Sequence, residues 1–209
     1  MIGIGTARRY DVAASDAELA PLREVVHNFA RMGGKLIDTA PSYGNAETVL
    51  GTLVAKAGNR DQLFLATKVG RGRESVQAGR AEMEQSLERL KVHKVDLMQV
   101  HNLAGVDEML PVLREWKEAG KTRYIGVTTT AKNQYAELER VLRTQRMDFV
   151  EVDQVHRLAP RGHGSHPRHR DDGLPGGQPG SRSRTDARCR GTPADGHPGR
   201  RLLTETGTR

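Results

Sequence analysis

The chain has a single cysteine, Cys189, and only one Trp, four Tyr and three Phe in 209 residues. A lone cysteine excludes a disulfide-stapled scaffold and a cysteine zinc site, and it suits a reducing compartment. No apolar run approaches the roughly 20 residues of a membrane-spanning helix. The opening Met1-Ile2-Gly3-Ile4-Gly5-Thr6 lacks the basic stretch and apolar run of an export signal. These absences lead to the expectation of a cytoplasmic protein without a membrane partner.

A second set of absences divides the chain. Residues 156–209 contain no Lys, Val, Ile, Met, Phe, Trp or Tyr, and only eight apolar residues of any kind. Six of the nine prolines and ten of the 23 glycines lie there. Such a segment buries too little apolar surface to offset its chain entropy and is expected to be a disordered tail. The charge divides at the same place. Residues 1–155 carry 22 basic and 21 acidic side chains, whereas 156–209 carry 11 Arg against five acids, so six of the seven net positive charges belong to the tail. The tail has neither interleaved aromatics for base stacking nor any Lys, which argues against a nucleic-acid arm. His163, His166 and His169 are dense but have no scaffold to hold a metal.

What remains, residues 1–155, alternates short apolar runs with longer amphipathic ones, the pattern of repeated β/α units around a parallel sheet. Strands are expected at 2–6, 35–39, 63–68, 95–101, 124–128 and 149–153. Helices are expected between them. Ser15 with Glu18 makes a capping box for the first, which Gly33-Gly34 ends. The others are expected at 46–57, 75–90, 106–119 and 132–143. Two folds suit this order, an open doubly wound sheet or a (β/α)8 barrel. The open sheet calls for a glycine-rich phosphate loop after the first strand, and Gly3-Ile4-Gly5 has no third glycine at that spacing. The barrel calls for eight units and about 250 residues, and six strands are legible. An incomplete (β/α)8 barrel followed by a disordered Arg/Gly/Pro-rich tail is therefore the expected fold.

Three consecutive strands end on an ionisable residue: Asp38, Lys68 and His101. Barrel strands converge at their C-terminal ends, where polar residues are more often catalytic than stabilising. Tyr43 follows Asp38 by five residues and can lean over the same mouth. Any one of these residues alone is readily structural; the four together are not. They offer a carboxylate, an amine, a phenol and an imidazole, with no second carboxylate for glycoside hydrolysis and no nucleophile elbow. A phenol titrates near pH ~10, so acid catalysis near neutrality needs a shift of up to ~3 units, about 4 kcal/mol, which an adjacent ammonium helps supply. Asp38 would hold Lys68 charged, and a neutral His101 could donate to the same substrate oxygen that Tyr43 protonates. None of these side chains supplies a hydride, so a reduction implies a nicotinamide cofactor.

Four segments, Asp38-Thr39-Ala40-Pro41-Ser42-Tyr43-Gly44, Ala66-Thr67-Lys68-Val69, Asp96-Leu97-Met98-Gln99-Val100-His101-Asn102 and Gly120-Lys121-Thr122-Arg123-Tyr124-Ile125-Gly126-Val127-Thr128, resemble the aldo-keto reductases in order and spacing. The resemblance implies a (β/α)8 barrel, NADPH-dependent reduction of a small aldehyde or ketone, and a tetrad of Tyr43, Asp38, Lys68 and His101 with Tyr43 as the acid. It also implies cofactor contacts from Gly5, Thr6, Asp38, Thr128 and Thr129. Glu151 stands where the family commonly has Gln under the nicotinamide, a departure that puts a negative charge near the ring. The family's N-terminal hairpin and its seventh and eighth units are not found. Those last units carry the phosphate-gripping loops, so weak or no NADPH binding is expected. A folded chain is expected to be monomeric, with residues 1–155 as the reductase domain.

The rival expectation is a non-catalytic truncated product. Arg, Gly, Pro, Ala, Ser, Thr and His without Lys, Ile, Phe or Tyr is what GC-rich coding DNA yields in a shifted frame, and residues 156–209 are expected to be out of frame. Translating the gene in its other two frames downstream of the Asp153–His156 codons should restore a strand-helix pattern with a basic phosphate loop; a gene without one refutes the frameshift.

Overall fold

The computed structural model describes residues 3–152 and the backbone of 201–204. The described chain runs β1 (Gly3–Gly5), α1 (Asp16–Arg31), β2 (Leu36–Asp38), α2 (Ala46–Ala57), β3 (Phe64–Val69), α3 (Val76–Leu90), β4 (Val95–Val100), α4 (Val106–Glu118), β5 (Thr122–Thr129), α5 (Tyr135–Thr144), β6 (Phe149–Val152) and β7 (Arg201–Thr204). All seven strands are parallel and adjacent in chain order. This sequential arrangement, with a helix after each of the first five strands, is the first part of a (β/α)8 barrel rather than a doubly wound sheet.

The expected elements form with shifts of a few residues. Lys132–Gln134 is a 3-10 turn ahead of α5 rather than its first turn, and β5 begins at Thr122. One strand lies outside the expected six. Residues 201–204 were assigned to the disordered tail, yet their backbone pairs with β6 from Phe149↔Arg201 to Val152↔Thr204. Leu202-Leu203 is the only pair of adjacent leucines in residues 156–209, too short a signal to mark a strand among Gly, Pro and Arg. The rest of the tail lies outside the described residues. Among those described, no helix is long and apolar enough to cross a membrane.

Local signals set the helix ends. The Ser15 hydroxyl accepts from the Glu18 N–H at 3.4 Å and opens α1, and Ser75 does the same for Ala78 at 3.0 Å in α3. Gly58, at φ +62°, closes α2 in the left-handed conformation that glycine adopts without strain.

The sheet separates two environments by its two-residue period. Ile37, Leu65, Val69, Met98, Val100, Ile125, Val127 and Val150 pack with the helices in one large core that includes Leu50, Leu53, Met83, Leu90, Met109 and Leu110. The alternate positions face away from the helices. Leu36, Phe64, Ala66, Leu97, Tyr124 and Phe149 form a smaller apolar cluster there, with Phe64, Tyr124 and Phe149 ring centroids 5.3–5.9 Å apart. Further along the same strands, the same face carries Asp38, Lys68, Gln99, Thr128 and Glu151. Phe64 and Phe149 stand three strands apart, about 14 Å in a flat sheet at ~4.8 Å per strand. Their 5.8 Å ring separation therefore requires the sheet to curve around this face.

At the start of β4, Asp96 ties three neighbours together. Its buried carboxylate accepts from Arg60, the Leu65 N–H and Arg123 at 2.8–3.0 Å. Between helices α2 and α3, a Cβ at Gly51 would lie 2.3 Å from the Arg89 carbonyl oxygen and 2.7 Å from the Leu90 Cα. Backbone atoms cannot rotate out of the way, so Gly51→Ala should destabilise the fold by about 1–3 kcal/mol in urea unfolding. An unchanged midpoint would show that α2 and α3 can separate.

Candidate active site

The site is built where three strands end. Register pairs Asp38 with Ala66 and Lys68 with Gln99, so Lys68 stands one inward position beyond Asp38 on the neighbouring strand. That offset lets the ammonium reach back over the carboxylate. Lys68 is 1% exposed, and its Nζ donates to Asp38 Oδ2, to the Thr39 carbonyl at 3.2 Å and to the Tyr43 hydroxyl at 3.4 Å. It also lies 5.1 Å from the centre of the Tyr43 ring. From β6, Glu151 Oε2 stands 3.8 Å from the same nitrogen. Burial alone would lower the lysine's pKa. The negative charges of Asp38 and then Glu151, with Tyr43 and the Asp38 hydrogen bond, outweigh burial and raise it, so Lys68 is a held ammonium.

His101 opens a 3-10 turn immediately after β4. Its ring meets that of Tyr43 edge-on, with centroids 6.1 Å apart at 88°, and its Nδ1 lies 3.5 Å from the Ser42 hydroxyl. Partial burial, reinforced by the Lys68 charge and opposed by Glu151, pushes its pKa down to about 4. The imidazole is neutral at pH 7.

The structure thus brings Asp38, Tyr43, Lys68, His101 and Glu151 together. Gly5 pairs with Asp38 in the sheet, and the Thr6 N–H donates to the Asp38 carbonyl at 3.0 Å. Both sit beside the cluster. Thr128 faces the same side, with its hydroxyl 3.5 Å from the Asn102 N–H. Thr129 is engaged differently. Its hydroxyl donates to Gln134 at 2.5 Å and accepts from the Ala131 N–H at 3.1 Å, which shapes the turn after β5.

Three residues of the site went unread in the sequence. Gln99 is fully buried and its amide donates to Glu151 at 2.8 Å. It sits two residues before His101, and the two-residue strand period would have placed it on the same face. Asn102 adopts φ +50°, and Gln134 donates to its carbonyl at 2.9 Å. These two meet through loop folding and leave no periodic signal. The Thr6 hydroxyl and the Oε1 of Gln99 are buried without a hydrogen-bond partner among the described residues. Buried polar atoms are rarely left so, and these two offer an acceptor and a donor to a polar ligand at the strand ends.

A sequence profile of the Aldo/keto reductase family matches residues 1–165. Over 118 residues the chain is 39% identical to aldo-keto reductase YhdN of Bacillus subtilis, covering 50% of this chain and 36% of the relative. An aldo-keto reductase of Mycolicibacterium paratuberculosis is 30% identical over 171 residues, 75% of this chain and 57% of the relative. A Klebsiella pneumoniae aldo-keto reductase solved in complex with NADPH superposes with a TM-score of 0.59 at 23% identity, over 73% of this chain and 53% of that one. The chain therefore spans about a third to under three fifths of the length of these relatives. With the profile matching more than half of its residues, the chain belongs to the aldo/keto reductase family.

Proposed function

We propose that the cluster at the ends of β2, β3 and β4 is the carbonyl-reducing centre of an NADPH-dependent oxidoreductase acting on small aldehydes or ketones. The observation that carries this reading is the linked set Asp38, Lys68 and Tyr43 beside a neutral imidazole. Tyr43 donates its phenolic proton to the carbonyl oxygen as that oxygen becomes an alkoxide. Lys68, 3.4 Å away, stabilises the phenolate left behind, and Asp38 fixes the ammonium. With the Ser42 hydroxyl as donor across its 3.5 Å contact with Nδ1, His101 would keep its own proton on Nε2 to bind the carbonyl oxygen. A neutral imidazole suits this work, because an imidazolium would compete with Tyr43 as the acid.

When bound, NADPH supplies the hydride that forms the new C–H bond at the carbonyl carbon. The two unpartnered atoms fit such a group: Gln99 Oε1 is an acceptor for a carboxamide, and the Thr6 hydroxyl can donate or accept. Gly5, Asp38, Thr128, Thr129 and Glu151 complete the proposed cofactor-binding residues. Substrates differ among relatives, one of which is the L-galactose dehydrogenase of Arabidopsis thaliana, 36% identical over 128 residues. The domain division belongs to the same reading, with residues 1–155 as the reductase portion and Arg201–Thr204 adding β7 to its sheet.

With NADPH in large excess and a neutral aldehyde, the chain should oxidise NADPH, and Tyr43→Phe should lower that rate by about 10²- to 10⁴-fold without weakening NADPH binding followed by its fluorescence. A parent rate equal to that of Tyr43→Phe favours the non-catalytic rival instead.

The His101 environment makes a separate prediction. The unfolded chain takes up a proton on His101 near pH 6.5, whereas the folded chain does so only near pH 4. Folding stability contributed at this group is therefore intact above pH ~6.5, is lost as pH falls to ~4, and changes no further below that. The loss is about 1–3 kcal/mol once the part-exposed ring's screening is allowed for. His101→Gln should lose less stability by this amount between pH 7 and pH 4 in urea unfolding; parallel losses would contradict a depressed His101 pKa.

A further inference from the structure

The turn that carries Tyr43 is not held by its own strand alone. Within it, the Tyr43 N–H donates to the Ala40 carbonyl at 3.1 Å, and the Ala46 N–H returns to the Tyr43 carbonyl at 3.2 Å. A further restraint comes from the connection between β1 and α1. Asp11 Oδ1 accepts from the Asn45 N–H at 2.9 Å, 34 residues along the chain. The same carboxylate lies against Gly44, where an ideal Cβ would meet Asp11 Oδ1 at 2.1 Å. Gly44 is at φ +61°, a conformation that other residues reach only with strain. Glycine is thus required twice at this position, for its backbone and for the closeness of Asp11.

Two side chains of the proposed centre depend on where this turn sits. Tyr43 places its hydroxyl 3.4 Å from Lys68 Nζ, and Ser42 places its hydroxyl 3.5 Å from His101 Nδ1. Both separations are at the long end of hydrogen-bond range, so an outward shift of a few tenths of an ångström breaks both. We infer that Asp11 is a positioning residue, which straps the 42–45 turn down so that Tyr43 engages Lys68 and Ser42 engages His101 at the same time. The inference rests on the reading of Tyr43 and His101 as reacting groups.

The test uses Asp11→Ala, which removes the acceptor, Asp11→Asn, which keeps an acceptor oxygen at the same reach, and Gly44→Ala, which pushes the strap away. Nitrogen-15 NMR of the His101 ring in the full chain, without cofactor, reads the Ser42 contact, and ring-labelled tyrosine reads Tyr43. Asp11→Ala and Gly44→Ala should shift both sets of resonances, and Asp11→Asn should leave them near the parent's. In NADPH oxidation the first two should lose roughly 10- to 100-fold in kcat with KM little changed, and Asp11→Asn should recover most of it. If Asp11→Ala leaves the His101 and Tyr43 resonances in place, or lowers only the thermal midpoint, the positioning role is overturned. A parent without turnover would refute the proposed function, while the resonances would still decide the role of Asp11.

Discussion

An ammonium buried almost completely is the constraint around which the rest of this half of the barrel is arranged. Unpaired, a lysine in the position of Lys68 would discharge, because desolvation disfavours the cation. It stays charged because β2 supplies Asp38 and β6 supplies Glu151 to the same nitrogen. That demand reaches far into the fold. Strands β3 and β6 are separated by two others, so the second carboxylate arrives only if the sheet curves. The aromatic cluster of Phe64, Tyr124 and Phe149 fills the inner face one level below and sets that curvature by its bulk. Burying one charge at the strand ends and packing three rings beneath it are two parts of one geometric solution.

The neutral His101 follows from the same ammonium. Its pKa is pushed down first by burial and then by Lys68, with Glu151 opposing. A lysine that had discharged would release part of that pressure, so the protonation states of Lys68 and His101 are coupled through space. The charge state that the proposed reaction asks of Lys68 is also one that helps burial keep the imidazole neutral. Glu151 moderates both. It adds to the stabilisation of the ammonium and partly offsets the field at His101, and Gln99 fixes its orientation with an amide hydrogen bond.

Much of this was legible in the sequence because it is periodic. A two-residue alternation separates Ile37, Leu65, Met98 and Val150, which pack against helices, from Asp38, Lys68, Gln99 and Glu151, which do not. The strand-end positions of Asp38, Lys68 and His101 follow from it directly, and the helix cap at Ser15 was local enough to read. The rest was not, for reasons of range. The Asp11 contact to Asn45 and the Gln134 bridge between Thr129 and Asn102 join loops whose separation in sequence carries no pattern. Thr129 was placed beside the cofactor by the family resemblance, and its hydroxyl serves its own turn. Strand β7 rests on four residues, Arg201–Thr204, too few to stand out from the composition around them.

The two faces of the sheet answer to different physics, and this explains where the chemistry can tolerate strain. On the helix side, close packing leaves no slack: Gly51, Gly72 and Gly79 admit no Cβ without meeting backbone or Met109. At the strand ends, Gln99 Oε1 on the inner face and the Thr6 hydroxyl just after β1 are left without partners among the described residues. Unmet hydrogen bonds of this kind cost stability wherever they occur. Such atoms are not confined to the site, since the Tyr10 hydroxyl and Asn59 Oδ1 are also unpartnered among the described residues, but at the strand ends they keep polar groups available. A ligand with complementary donors and acceptors then gains affinity from satisfying atoms that folding left unsatisfied. A site of this kind is therefore built as much by what the inner face withholds from its own hydrogen-bond network as by the residues it presents.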